Sequence, residues 1–265
     1  MELKGSAVAI IAIASPKGGV GKTTSTIALG GLLAQTQRCL AIDLDPQGNL
    51  TMGFGIEMEK EQIGSYDVMT RQETPAEPIL ETYIGLDILP TDSTLAKAEN
   101  EISEDPKRFF ILKEQLQTLQ GRYTNILIDC PPNLGLLTLN ALAAADAVLV
   151  PVQCHYYSLR GLDRLFDEIS DIRKTYNLRL RLLGVLPTMA ENTLMTRRVL
   201  DELKKRHHQV TIFKPVPKSI QFAEASFVGQ PIHRFSRNRK LIEPYERVIR
   251  AIAPQTQKTP NEHLL

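Results

Sequence analysis

The segment Pro16-Lys17-Gly18-Gly19-Val20-Gly21-Lys22-Thr23-Thr24 constrains the fold of this chain more than any other stretch. An apolar run at 8–14 precedes it and an apolar helical pattern at 22–36 follows it, so it reads as a strand–turn–helix junction. Gly18, Gly19 and Gly21 let the backbone turn tightly with its N–H groups pointing inward, an anion nest at the positive end of a helix dipole. In that setting Lys22 reaches β- and γ-phosphates, the Thr23 hydroxyl ligates Mg²⁺ and Thr24 meets the α-phosphate. The general phosphate-loop pattern starts on glycine, four residues before Gly-Lys-Ser/Thr. Here that place holds Pro16, and Lys17 follows it.

Short β-branched runs alternate with longer helical patterns along the rest of the chain. That rhythm predicts an α/β fold: a doubly wound, mostly parallel sheet with helices on both faces. Strands are expected at 8–14, 39–43, 86–89, 125–129, 147–152 and 180–185. Several are continuously apolar, as strands buried on both faces should be. Helices are expected at 22–36, 106–120, 134–145, 159–176, 194–207 and 241–253. The stretch 55–90, with Pro75 and Pro78, predicts short helices and mobile loops. Residues 1–253 read as a single domain and 254–265 as a polar tail.

Two aspartate-bearing strand ends accompany the loop. Leu40-Ala41-Ile42-Asp43-Leu44-Asp45-Pro46-Gln47-Gly48-Asn49 and Asn125-Ile126-Leu127-Ile128-Asp129-Cys130-Pro131-Pro132 both end apolar runs. A doubly wound sheet places its ligands at such carboxyl ends. Together with Lys17-Gly18-Gly19-Val20-Gly21-Lys22-Thr23-Thr24, these motifs resemble those of the ParA and MinD superfamily of deviant Walker A ATPases. The resemblance runs over about 8–253. It implies ATP and Mg²⁺ as cofactors, with Lys17 reaching across a dimer interface to the partner's phosphates. Asp45 would position or activate the attacking water. Asp43 would sit near the metal and support the site, and Asp129 would hold Mg²⁺ through water. Base contacts in relatives imply Thr188 and Met189, and Pro215, Val216 and Pro217. Adenine is favoured, since no Asn-Lys-x-Asp guanine signature occurs. The segment 150–162 matches the family's strand and following helix, but His155 and Arg160 stand where glutamates are common.

The formal net charge of +1 hides an asymmetry. Residues 1–159 hold 11 Lys and Arg against 19 Asp and Glu, a net of −8, and residues 160–250 hold 19 against 10, a net of +9. Opposite signs suggest different partners for different faces. The segment 215–232 is similar to the C-terminal part of short chromosome- and plasmid-partition ATPases. That likeness implies sequence-independent DNA binding through Lys218, Arg237, Arg239 and Lys240, with Arg234 nearby. It also implies a homodimer in the ATP state and a ParB-like activator. Two alternatives stay open: a MinD-like membrane switch, disfavoured by the polar, Pro-interrupted end at 255–263, and a metabolic enzyme on the same scaffold. Cys39, Cys130 and Cys154 lack paired spacing and read as small buried hydrophobes in a reducing compartment. No stretch approaches the roughly 18 apolar residues of a spanning helix. With about seven residues ahead of the first strand, no operator-reading domain is expected, and the reading is cytoplasmic and nucleoid-associated.

Overall fold

The computed structural model describes residues 9–59, 62–155 and 160–252. Strands β1 (Ala9–Ile13), β2 (Cys39–Asp43), β3 (Leu80–Glu81), β4 (Leu86–Leu89), β5 (Asn125–Asp129), β6 (Ala147–Gln153) and β7 (Arg181–Thr188) form a seven-stranded sheet in the order β3-β4-β2-β5-β1-β6-β7. Every neighbouring pair is parallel except β3 with β4. Among the described residues the helices are α1 (Lys22–Leu33), α2 (Asn49–Met52), α3 (Ser65–Met69), α4 (Leu95–Glu101), α5 (Ile111–Gln117), α6 (Leu136–Ala144), α7 (Arg160–Thr175), α8 (Leu194–Arg206), α9 (Gln221–Phe227), α10 (Ile232–Phe235) and α11 (Arg239–Ile252).

Alternation along the strands divides the core into two layers. Ala12, Leu40 and Ile42 face a layer closed by α5, α6, α7 and α8, while Ile11, Ile13 and Ala41 face one closed by α1 and α11. Side chains of a strand point to opposite faces in turn, so a strand apolar at every position must be covered twice. β2 and β5 are buried at all five positions. The doubly wound architecture follows directly.

The expected strands are all present. Val8, Leu159 and Ala253, at the ends of expected elements, lie outside the described residues, as do Tyr156, Tyr157, Ser158 and the tail. The helix expected at 106–120 is shorter, beginning at Ile111. Asp105 explains this, because its side chain accepts the Lys107 N–H at 2.7 Å and holds a turn where a helix would otherwise start. Asn133 has the same effect ahead of α6, accepting the Gly135 N–H at 3.2 Å. The irregular stretch at 55–90 holds α3 and the two-residue antiparallel edge strand β3. α2, α4, α9 and α10 are further short helices that periodicity does not announce.

Gly184 is the tightest point on β7. Its φ is +150°, and a Cβ there would stand 2.5 Å from the Thr211 carbonyl oxygen. That oxygen accepts the Val185 N–H at 2.8 Å, so it cannot withdraw freely. Gly184→Ala is therefore expected to cost about 3 kcal/mol, roughly 6–12 °C in Tm for a chain of this size. Calorimetry checks it, and an unchanged Tm contradicts the close approach.

Candidate functional site

Register brings the site together. In β1, β5 and β2, Ile13 pairs with Asp129 and Asp129 with Asp43, so two aspartates and the chain entering the glycine loop end side by side. Gly19 and Gly21 adopt left-handed backbone, with φ of +70° and +86°. Helix α1 then starts with no side-chain cap and no acidic residue in its first turn. Its first N–H groups are left for an anion.

Lys22 is buried, and its Nζ donates only to the Lys17 carbonyl, at 3.3 Å. It forms no ion pair among the described residues. Burial lowers its pKa, and the nearby Asp129 and Asp45 carboxylates push it back up. A buried ammonium without a paired carboxylate is costly, and a phosphate chain in the loop would supply the missing charge. Thr23 Oγ1 donates to Asp129 at 2.6 Å and Thr26 Oγ1 to the other carboxylate oxygen at 3.2 Å. Thr26 lies one turn beyond Thr23 on the same face of α1, so the Thr-Thr-Ser-Thr run carried this signal. Thr24 is half-buried beside it.

The two strand-end aspartates differ. Asp43 accepts the Thr51 N–H at 2.8 Å, the Thr51 hydroxyl at 2.7 Å and the Asp45 N–H at 3.3 Å. These bonds tie Asp43 to α2 and the following loop. Thr51 is the residue that sequence reasoning missed here. Asp45 is nearly buried and accepts the Gln47 N–H at 3.0 Å. Among the described residues no three His, Cys, Asp or Glu side chains form a metal-holding group. A cation here would have to draw on Thr23, Asp129, water and the oxygens of a bound phosphate. The donor set is hard oxygen throughout, which suits Mg²⁺.

On the other side of the loop, Thr188 Oγ1 donates to the Val20 carbonyl at 2.8 Å. Its hydroxyl braces the loop, and Gly21 has room for only a Cβ beside the Thr188 methyl, 3.6 Å away. Ala190 N–H donates to Val216 O and Lys218 N–H to Ala190 O, both at 3.0 Å, so 188–190 and 215–218 form one wall. Within it the Val216 side chain turns into the core, leaving Met189, Pro215 and Pro217 partly exposed. Met189 has a φ of +51°, uncommon for a side chain of its size. Lys17, Gly18 and Gly19 are exposed on the rim. His155 is exposed too, and its N–H donates to Gln153 O at 2.7 Å. The side chain of Arg160 lies outside the described residues.

The basic residues expected on DNA divide into two groups. Lys218 is paired with Glu191 at 2.7 Å, and Arg239 grips Glu246 through two 2.7 Å bonds. Arg234 lies over the Tyr83 ring at 5.8 Å. Arg237 and Lys240 are exposed and form no ion pair among the described residues. Helix α8 adds a basic face that sequence reasoning counted only as net charge. Arg197, Arg198, Lys204, Lys205 and Arg206 are all exposed on it.

Comparisons with known proteins give the family and the fold. The sequence matches the family described as AAA domain over residues 8–182. The sporulation initiation inhibitor protein Soj of Bacillus subtilis (strain 168) is 38% identical over 92% of this chain and 98% of its own. The chromosome partitioning protein ParA of Myxococcus xanthus (strain DK1622) is 36% identical over 96% of this chain and 92% of its own. The chain belongs to the Soj/ParA family of P-loop ATPases. Among solved structures, an ATP complex of a Cyanothece McdA variant superposes with a TM-score of 0.88 at 25% identity, covering 97% of this chain and 100% of that one. Cobyrinic acid a,c-diamide synthase from Mycobacterium smegmatis, with a bound ATP analogue and magnesium, gives 0.81 at 34% identity, covering 91% and 92%. Among the described residues of this family member no helix is long and apolar enough to cross a membrane.

Burial and the neighbouring Asp43 push the Asp129 pKa up to about 8, against the bonds from Thr23 and the pull of Lys22. Burial likewise raises Asp43 to about 7. An unfolded aspartate titrates near 3.9, so the ligand-free fold carries no penalty from Asp129 at pH 4 and a growing one as pH rises toward 8. Asp129→Asn is thus expected to raise the Tm of the ligand-free protein at pH 8 by roughly 2–6 °C, about 1–2 kcal/mol, with the gain vanishing toward pH 4. A melting series across that range checks it. A loss of stability at pH 8 contradicts the reading.

Proposed function

We propose that this chain is an ATP hydrolase whose ATP·Mg²⁺ state forms a homodimer and binds double-stranded DNA without sequence preference. It thereby positions or segregates a cargo such as a plasmid or chromosome, with a ParB-like protein stimulating hydrolysis. The observation that carries the reading is Lys22, a buried cation lacking a paired anion, set beside Thr23 and Asp129 at the uncapped start of α1. Likeness to Soj and ParA supports the partition role.

Bound ATP·Mg²⁺ supplies the electrophilic phosphoryl group and the cation that neutralises it. The chain's own residues do the rest. The 18–24 backbone and Lys22 hold the phosphates, Thr23 and Asp129 orient the metal shell, and Met189 with Pro215 and Pro217 flank the adenine. Asp45 accepts or orients the proton of the attacking water. Lys17 acts in trans on the partner's phosphates, as its exposed place on the rim allows. Mg²⁺ binds without direct ligation by Asp43. The site of action is cytoplasmic, on the nucleoid.

Three variants separate these roles. Lys22→Ala is expected to lose ATP binding by at least 100-fold in a fluorescent-nucleotide titration. Asp45→Ala keeps binding but accumulates an ATP-bound dimer on size exclusion, with turnover cut by two or more orders of magnitude, the scale of general-base loss. Lys17→Ala binds as a monomer yet neither dimerises nor responds to the activator. Normal ATP affinity in Lys22→Ala would refute the phosphate-loop assignment.

Binding to DNA rests on phosphate contacts, which release counterions and carry no base information. Fluorescence polarisation on unrelated duplexes should give equal affinities in ATP, weaker binding in ADP, and a log–log salt slope of about −4 to −7. Arg237→Ala with Lys240→Ala should flatten that slope by about 2–4 in the dimer. ATP turnover that ignores DNA but requires a small carboxylic acid would instead favour a ligase on the same scaffold, the reading that the synthase likeness supports.

A further inference from the structure

The segment 91–101, which runs into α4, bonds both to α2, next to the loop of Asp45, and to α6, next to the loop after Asp129. At its entry, the Thr91 N–H donates to Thr51 Oγ1 at 3.0 Å, and Thr51 in turn donates to Asp43. Gly48, in the loop of Asp45, lies so close that a Cβ there would be 3.2 Å from the Thr91 carbonyl. Asp92 turns the chain into the helix, accepting the Thr94 N–H at 2.9 Å. From the helix body, half-buried Glu99 extends Oε1 to the Leu137 N–H at 3.1 Å. Leu137 belongs to the first turn of α6, which has Gly135 as its N-cap and therefore no cap of its own. Glu99 supplies that cap from 38 residues away. Ahead of α6 runs the loop after Asp129, where Pro132 Cβ would lie 3.8 Å from a Cβ on Gly18.

We infer that Glu99 is a positioning residue that latches the loop following Asp129 to the loop carrying Asp45, so that the two respond to a bound nucleotide together. The inference rests on the ATPase reading of the site. A carboxylate at a helix N-terminus also meets the helix dipole favourably, so the latch is attractive at every step of the cycle. Gly135 marks how tightly it is seated, since a Cβ there would come within 2.5 Å of Glu99 Oε1. Its φ of −72° is open to alanine, so Gly135→Ala unseats a flexible carboxylate without straining the backbone.

Glu99→Ala, Glu99→Gln and Gly135→Ala are compared with the intact chain. Hydrogen exchange over 131–138 in the ligand-free protein should be about fivefold faster in Glu99→Ala and Gly135→Ala, the scale of a lost helix cap, and close to normal in Glu99→Gln, which keeps the acceptor. Activator-stimulated kcat should fall several-fold in the first two, with ADP affinity and KM unchanged and activity restored in Glu99→Gln. In the intact chain ATP·Mg²⁺ should protect 43–51 and 131–138 together, and in Glu99→Ala only one of them. Normal exchange in both alanine variants overturns the latch. So does a loss of ADP affinity matching the loss of kcat, which would mark a purely structural role. Failure of the intact chain to bind ATP at all would sink the function reading, while the ligand-free exchange would still decide the cap.

Discussion

Everything at this site depends on the in-register pairing of β2, β5 and β1. Pairing Asp43 with Asp129, and Asp129 with Ile13, puts two carboxylates in the dry interior of the sheet and aims the glycine loop across them. Parallel pairing requires a crossover between neighbours, and here the crossover from β1 is α1, whose start is the anion site. One constraint thus sets the place of the phosphates, the metal and the water. Covering helices on both faces exclude solvent, which strengthens each of those interactions.

Much of this was legible in the chain. Lys22, Thr23 and Asp129 could be placed because phosphate loops and strand ends obey local spacing, and each fell where the spacing put it. What escaped depends on contacts between distant segments. The resemblance put Asp43 near the metal, and only the fold reveals Thr51 beside it, donating to Asp43 and accepting the Thr91 N–H. Val216 sits in a wall beside the loop, but packing turns its side chain inward. Lys218 and Arg239 read as free cations until Glu191 and Glu246 arrive. The helix expected at 106–120 lost its first turn to a single aspartate side chain.

Surface charge is organised by the same logic. Paired on the surface, Lys218 and Arg239 contribute little to stability, since water and salt screen exposed ion pairs. Each can exchange its carboxylate for a phosphate at small cost. Arg237 and Lys240 form no ion pair among the described residues, whereas on α8 Arg206 is already paired with Glu202. A basic half with some of its charges pre-engaged holds a polyanion less tightly than its net of +9 suggests, and its affinity is then governed by how many copies act together. In the proposed dimer the number would double, a physical route by which nucleotide state would reach DNA.

The buried aspartates also explain why such a site can act as a switch. Asp129 and Asp43 are fully buried, the Asp43 carboxylate disfavours charge on Asp129, and hydroxyl and amide donors together with the nearby Lys22 only partly offset this. An interior optimised for stability alone would replace one of them. Retaining both leaves the ligand-free fold with two costly features, a pair of crowded carboxylates and a buried Lys22 that only partly offsets them. A metal–phosphate pair remedies both together, and neither half alone does. Under the proposed reading, binding would couple to the order of the loops that carry Asp45 and follow Asp129, because both leave the ends of the paired strands β2 and β5. Loss of the γ-phosphate would then remove one side of that pairing, and with it the common charge proposed to hold those loops in step.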